Sequence, residues 1–556
     1  MTDNPFATHE VFNQVPPQGD VNLFTADAAL REAVAREGAG WAADDLARYG
    51  AIAGSARGRE LGRLANEHLP VLRRYDAQGR RLDVVEFHPA WHEVMAISTG
   101  AGLNCLSWEH LGPKAGAPTP GRTVARVAGI YMAQQMEPGH CCPVTMTNAA
   151  VPTLMHQPEI AAEWLPRTLV RDYDPAFAPA GQKRACIIGM GMTEKQGGTD
   201  VRANTTRAEP AAGGGPGGEY LVTGHKWFLS APMCDAFLIL AQAPGGLTCL
   251  LMPRFLPDGS VNPIRIERLK DKLGNRSNAS SEIELWRTHA WAVGEEGRGI
   301  ATILEMVTLT RLDCAAASAG LMRQALASAV HHTRHRTVFQ KRLIDQPLMA
   351  RVLADMALDQ EAAVALAMRL AGAFDRAGDD AGEAAFARVM TPAIKYWVCK
   401  ITPAFVYEAL ECHGGNGFVE EGHMARLYRE APLNAIWEGS GNVMCLDVLR
   451  AIERTPAALD AVFDEIGRLS GGDRRLAAHA DAVRALFADR DTLSGGARAA
   501  VERLVYLLAA ALLHAHGPAA AADAFAASRL DGPFHHTWGT AKADTAAVLA
   551  RFAAGE

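Results

Sequence analysis

The feature that most restricts the fold is a change of periodicity at residues 186–295. On either side, apolar residues recur at three- and four-residue spacing. Within it, short β-rich runs alternate with Gly, Pro and Asn turns. The runs are Ala185–Ile188, Tyr220–Thr223, Ala236–Ala241, Thr248–Met252, Ile264–Glu267 and Glu282–Leu285, separated by turns such as Gly213–Gly218 and Pro257–Gly259. Several short strands with few helical windows predict a small barrel or sandwich set between helical regions. Upstream, Ala26–Glu37, Trp41–Arg48, Ser55–Glu67 and Val124–Glu137 read as helices, giving an N-terminal helical domain over 1–185. Downstream, Ile300–Thr337, Pro347–Ala377, Glu383–Cys412 and His423–Tyr428 predict a helical bundle over 296–452. Residues 453–556 are Ala-rich and form a further helical domain, with breaks expected at Gly471-Gly472, Gly495-Gly496 and Gly517-Pro518. The fold class is α+β, and the lack of a short internal repeat argues against a solenoid.

The chain's 556 residues allow several domains, and a hydrophobic content of 49% allows a large core. The net charge of −7 gives no global attraction to nucleic acid or to an anionic membrane. The ten cysteines are scattered without a CxxC pair, so neither a zinc site nor a redox dithiol is expected and no metal is assigned. That usage fits a reducing cytoplasm. The start, Met1–Phe6, has neither the basic nor the apolar region of a signal peptide. The most apolar run, Leu504–Leu513, is too short to span a bilayer and is followed by His514 and His516. A cytoplasmic protein without a membrane partner is expected.

Chemistry-bearing residues concentrate in a few segments. Asn434-Ala435-Ile436-Trp437-Glu438-Gly439-Ser440-Gly441-Asn442 sets a lone carboxylate between an indole and a glycine, just before a helix that Ser440 or Asn442 can cap. Such an acid suits proton abstraction beside a flat cofactor; an ordinary loop acid before a capped helix satisfies the same residues. Gly139–Thr147 packs small and hydroxyl residues together, as backbone approaching a ligand or as a tight helix–helix contact. Gly189–Asp200 (GMGMTEKQGGTD) lacks the GxGxxG spacing and the βαβ setting of a dinucleotide fingerprint. Its glycines allow close backbone approach to a heteroaromatic edge, although Gly-rich β turns are common. In Gly224–Ser230 (GHKWFLS), aromatic residues stand either against a ring system or in a core. Arg336, at a helix end, can reach a phosphate or simply be solvated. The turn Glu411–Phe418 can cradle a pyrophosphate or serve as a C-cap.

These segments, in this order, resemble the acyl-CoA dehydrogenase superfamily, and most closely its AidB-type alkylation-response flavoproteins. The resemblance is carried by GMGMTEKQGGTD, GHKWFLS, PRFLPDG, RLKDKLGNRSNAS, TRLDCA, GGNGFVEE, LYREAP and IWEGSGNVMCLDVLR, with Thr8–Gln14 and Tyr75–Leu82. It runs from about residue 8 to about 452. It implies an acyl-CoA dehydrogenase-like fold, an FAD cofactor, a homotetramer and an acyl-CoA or other small substrate. By resemblance, Met190, Gly191, Met192, Thr193, Glu194, Lys195, Gln196, Gly197, Gly198 and Thr199 form the loop facing the flavin, with the Thr193 and Thr199 hydroxyls as contacts. Phe228, Leu229 and Ser230 form the strand beside it. Ile436, Trp437, Glu438, Gly439, Ser440, Gly441 and Asn442 form the closing loop. Arg336, with Gly414, Gly415 and Gly417, serves the FAD of a neighbouring subunit. Glu438 matches the base that removes the α-proton while hydride leaves the β-carbon for flavin N5. One branch of the family carries its base before the arginine of the following motif; that position is Thr310 here, which leaves the role to Glu438. The chain departs from the family's usual residues at Trp437, at Glu411 and over Arg311-Leu312-Asp313. The subgroup's last helical domain implies double-stranded DNA as a partner, and the alternative function is a DNA-binding flavoprotein that protects DNA from alkylating agents. The arginines after residue 453 are, however, offset by at least as many acids.

Overall fold

The structure is a computed structural model that describes residue 6 and residues 8–113, 116–532, 537–541 and 543–551, without the side chains of 490 and 491. The signal-peptide reading of Met1–Phe6 falls, except for Phe6, outside the described residues.

The N-terminal helices are α1 (Ala28–Arg36), α2 (Ala43–Ala53), α3 (Ala56–Glu67), α4 (Pro89–Gly100), α5 (Arg122–Met136), α6 (Cys141–Met155) and α7 (Pro158–Thr168). Ser55 caps α3 by accepting from the Gly58 N–H. Between α3 and α4 the chain forms an antiparallel hairpin, β1 (Val71–Tyr75) and β2 (Arg81–Glu86), absent from the helical reading. Its turn is organised by Asp76, whose carboxylate accepts from the Gln78 and Arg80 N–H groups at 2.9 and 2.8 Å.

The central strands are β3 (Ile188–Gly191), β4 (Arg207–Pro210), β5 (Glu219–Ser230), β6 (Ala236–Ala243), β7 (Gly246–Pro253), β8 (Ile264–Leu269) and β9 (Ser280–Ala292). The sheet runs β3-β6-β4-β5-β9-β7, with β8 on β9, and a β6–β7 pairing closes it into a small barrel. Residues 236–241 of β6 are buried throughout, which explains their unbroken apolar run. β5 is bulged against β9 between Val222 and Gly224 and between Lys226 and Leu229. The second bulge re-aims the end of the strand, where Phe228 and Ser230 stand.

The remaining chain is α8 (Gly299–His335), the two-residue strands β10 (Thr337–Val338) and β11 (Lys341–Arg342), α9 (Pro347–Arg376), α10 (Ala381–Glu411), α11 (Gly415–Phe418), α12 (Met424–Glu430), α13 (Gly441–Arg454), α14 (Ala457–Ser470), α15 (Arg474–Ala488), α16 (Arg490–His516), α17 (Ala519–Arg529) and α18 (Thr545–Ala550). The breaks at Gly471-Gly472 and Gly517-Pro518 are present, whereas Gly495-Gly496 lies inside α16. Burial of Val501, Leu504, Val505, Leu507 and Leu508 against α9 and α14 outweighs the helix cost of two glycines, of order 1 kcal/mol each. One apolar core joins α1–α5 to α8–α10 and α12–α18, and a second joins the barrel to α6 and α7. Among the described residues no helix is long and apolar enough to cross a membrane.

Candidate active site

The two cores meet along a cleft of about 1190 Å³ between the barrel, α6, the N-terminal half of α8 and the start of α13. Its barrel wall carries Met190, Met192, Thr193, Gly198, Thr199, Phe228 and Ser230; facing them are Ile436, Trp437, Glu438, Gly439 and Ser440. Segments more than 200 residues apart in sequence thus share one cavity.

Glu438 sits at φ +58°, in the left-handed region that non-glycine residues avoid. The Gly439 that follows has φ +108°, and an added Cβ would meet Met444 at 2.5 Å. Donors on two helices hold this turn. Arg311 Nε donates to the Glu438 carbonyl at 3.0 Å, and Lys395 Nζ donates to the flanking Trp437 and Gly439 carbonyls at 2.9 and 2.5 Å. Trp437 Nε1 donates to Asn434 Oδ1 at 2.8 Å, and Asn434 Nδ2 to Ser318 Oγ at 3.1 Å, which fixes the indole plane. Arg311 is itself oriented by Asp447 at 2.7 Å. The acid is therefore preorganised from behind, with its carboxyl group in the cleft wall.

Burial raises the Glu438 carboxyl above its ordinary pKa, opposed by the Thr310 hydroxyl bond and the charges of Arg311 and Lys395. Thr310 Oγ1 lies 2.8 Å from Glu438 Oε2 and 2.9 Å from the Val307 carbonyl. The hydroxyl has one proton. It donates to Glu438 when the acid is ionised, and can turn to Val307 and accept when the acid is protonated. The site thus accommodates both states of a proton-accepting carboxylate.

The flavin-loop residues divide by orientation. The Thr193 and Thr199 side chains line the cleft, and their hydroxyls have no hydrogen-bond partner among the described residues, so they are free for a ligand's polar edge. Glu194 faces the opposite way: fully buried, it pairs with Lys226 at 2.8 Å and accepts from the Thr205 and Thr206 N–H groups. Burial would raise its pKa, but Lys226 and these donors bring it down to about 2. Its side chain anchors the loop and does not reach the cleft. Gln196 Nε2 donates to Glu194 at 2.8 Å, and the Lys195 N–H to His225 at 3.0 Å. Glu194 and Gly197 close the turn as a bridge. Leu229 is fully buried beneath Gly191, where an added Cβ would meet it at 2.6 Å.

Ser440 occupies the N-cap position of α13 without a side-chain capping bond, and Asn442 Oδ1 accepts from Arg498 Nε of α16 at 2.8 Å, so neither residue caps the helix as expected. Gly441 and Asn442 lie outside the cleft lining. Arg336, Gly414 and Gly415 also lie outside it, at the end of the bundle where α8 and α10 stop. There the His332 and His413 rings stand 4.7 Å apart. Arg336 Nη1 donates to the Asn13 carbonyl at 2.6 Å.

Several lining residues escaped the sequence reading. Cys141, Cys142, Thr145 and Met146 come from the small-residue segment already singled out, which here opens α6. Gly139 before it is a close-approach site, where an added Cβ would meet Ser277 Oγ at 2.0 Å. Asp313 takes a bidentate pair from Arg126 at 2.7 Å and a bond from Thr145 at 2.7 Å. Lys272 donates to the Asn278 carbonyl at 2.6 Å, and its burial lowers its pKa to about 8. For Lys395 the only sequence signal is a lone cation on the apolar face of a helix.

The chain matches three family models in sequence order: the adaptive response protein AidB N-terminal domain over residues 13–175, the acyl-CoA dehydrogenase middle domain over 189–287 and the acyl-CoA dehydrogenase C-terminal domain over 297–453. It is 51% identical over 468 residues to the putative acyl-CoA dehydrogenase AidB of Escherichia coli K12, covering 84% of each chain. The structure of Caenorhabditis elegans ACDH-11 in complex with C11-CoA superposes with a TM-score of 0.84 at 26% identity, covering 96% of each chain. An acyl-CoA dehydrogenase of Bacillus anthracis complexed with FAD shares the fold, with a TM-score of 0.63 at 17% identity over 77% of this chain and 76% of that one.

Proposed function

From the premise that the chain belongs to the acyl-CoA dehydrogenase superfamily, in its AidB-type branch, we propose that it is an FAD-dependent oxidoreductase acting on an acyl thioester, with Glu438 as the base. The observation that carries this reading is the Glu438 turn: a strained, clamped acid with a raised pKa, opposite a wall bearing two uncommitted hydroxyls. The barrel wall fits a flat heteroaromatic group, since Thr193, Thr199 and Ser230 offer hydroxyls and Phe228 and Trp437 offer ring faces. FAD bound there supplies a two-electron acceptor for the bond being oxidised. Glu438 removes the proton α to the thioester carbonyl, and Thr310 reverses its hydroxyl as the acid becomes protonated. The cleft mouth carries Arg202, Arg450 and Arg454, which have no ion-pair partner among the described residues and suit a phosphate-bearing carrier.

A homotetramer belongs to this reading, with Arg336, Gly414 and Gly415 serving the FAD of a neighbouring protomer. It is supported by Phe339, Leu348 and Phe418, which are 91%, 81% and 79% exposed. The double-stranded DNA partner is less well supported. In the C-terminal helices Arg529 is paired with Asp355 and Asp359, Arg551 with Glu361 and Glu32, Arg468 with Glu465 and Arg475 with Asp531. These pairs tie up part of the positive charge that phosphate contact needs.

The test is Glu438→Gln. The variant should retain FAD, and anaerobic addition of acyl-CoAs that bleach the wild-type flavin should leave its absorbance intact. Bleaching at the wild-type rate removes Glu438 from the role.

A further inference from the structure

A second cavity, of about 270 Å³, lies behind the barrel wall of the cleft, and the two share no lining residue. Pro143 and Ala231 line it, and the residues preceding each, Cys142 and Ser230, line the cleft. Its walls are aromatic and apolar. Phe87 and Trp91 stack with ring centroids 4.9 Å apart, and Phe177 and Phe255 meet at 4.8 Å.

Charged groups also line this space: the acids Glu86, Asp174 and Asp235 and the cations Lys183 and Arg254. Lys183 and Asp235, both buried, pair at 2.6 Å and neutralise each other. His92 is bonded to the Tyr173 hydroxyl at 2.9 Å, and burial lowers its pKa, so the ring stays neutral. Arg254 is different. It is 3% exposed, and Nη2 donates to the Asp83 carbonyl at 3.2 Å and touches Met233 Sδ at 3.3 Å. Its Nε is buried without a hydrogen-bond partner, and among the described residues no carboxylate lies within ion-pair distance of the guanidinium. Asp83 and Asp235 act on this charge only from beyond that distance. A buried cation without a direct carboxylate partner is unfavourable, and a guanidinium fork matches a carboxylate in shape and charge.

We propose that this cavity binds a small monocarboxylate with a compact apolar body, of the size of benzoate or hexanoate, its carboxylate on Arg254 and its body among Phe87, Trp91, Phe177 and Phe255. A dianion such as phosphate would be repelled by Asp174 and Asp235 in the same lining more strongly than a monoanion, and would leave the aromatic walls without a partner. The site stands apart from Glu438 and does not depend on the flavin reading.

The experiment is calorimetric titration of the FAD-containing protein with benzoate and hexanoate, their neutral amides, and inorganic phosphate at fixed ionic strength. The flavin spectrum is followed in parallel. One carboxylate should bind saturably without perturbing the flavin, and its amide at least about tenfold more weakly. Arg254→Met should abolish that preference. Ala178→Trp, which plugs the partly exposed rim and keeps Arg254, should weaken binding by about tenfold or more. It carries the test if Arg254→Met fails to fold. The proposal is overturned if neither carboxylate binds saturably, if phosphate binds better, if the amides bind equally well, or if Ala178→Trp binds as wild type does.

Discussion

Replacing Lys395 by Met tests whether the strained acid is held or merely tolerated. The lysine is 1% exposed on α10, and its ammonium spans the carbonyls on both sides of Glu438, at 2.9 and 2.5 Å. Methionine keeps the length and removes both donors and the charge. Two hydrogen bonds from a charged group are worth roughly 3–6 kcal/mol together. Holding a non-glycine residue in the left-handed region costs about 1–3 kcal/mol. The clamp exceeds the strain, and without it the Arg311 bond at 3.0 Å is what ties the Glu438 backbone to the helices, with the Thr310 bond at 2.8 Å holding its carboxylate. If the competent turn falls to between about 1 and 10% of molecules, the rate of flavin reduction falls by about 10- to 100-fold. The second effect is electrostatic. Lys395 is one of the charges that restrain the burial-raised pKa of Glu438, so its loss raises that pKa further. Because the base acts ionised, the acidic limb of the pH–rate profile moves to higher pH. The assay is anaerobic stopped-flow reduction by a straight-chain acyl-CoA from about pH 5 to about pH 9. A variant with FAD bound, a rate within about twofold of wild type and an unmoved midpoint would refute the clamp.

Arg126→Met should lose about 3–5 kcal/mol in denaturant unfolding, because it strands Asp313, 3% exposed, without its bidentate partner. A loss below about 1 kcal/mol would show that the pair is dispensable. Burial opposes ionisation of Glu137, but His140, the His140 N–H and Ser277 outweigh it and bring the carboxyl from 4.5 down to about 2. A depressed acid stabilises the fold above its unfolded pKa. That contribution, of order 3 kcal/mol, should fade as pH falls from about 4.5 to about 2. Glu137→Gln should flatten that limb of a stability–pH curve, and an unchanged limb would assign it to other groups.

Chain-local patterns carried much of this architecture. The run from Ala236 is apolar because β6 is buried on both faces, and long helical periodicity over 347–377 survives as α9 with nearly the same ends. The polar strand β4 and the arginine-rich β1–β2 hairpin left no such trace, since their pairing depends on neighbours and not on their own apolar spacing. In the site, the motif order told that the Thr193 loop and Glu438 belong together. It did not tell which loop side chains face inward, and the ion pair with Lys226 turns Glu194 into an anchor.

The sequence by itself determined where the long helices and the apolar barrel strands lie and which acid stands beside glycine and indole, because periodicity and turn chemistry act over a few residues. Only the tertiary structure decided that Lys395 grips the turn around Glu438, that Arg126 locks Asp313 and that Arg254 Nε is buried without a hydrogen-bond partner among the described residues. Those relations join residues 42 and 187 positions apart, or rest on a partner being missing. Nothing in local spacing encodes either; packing alone brings such groups within reach of one another.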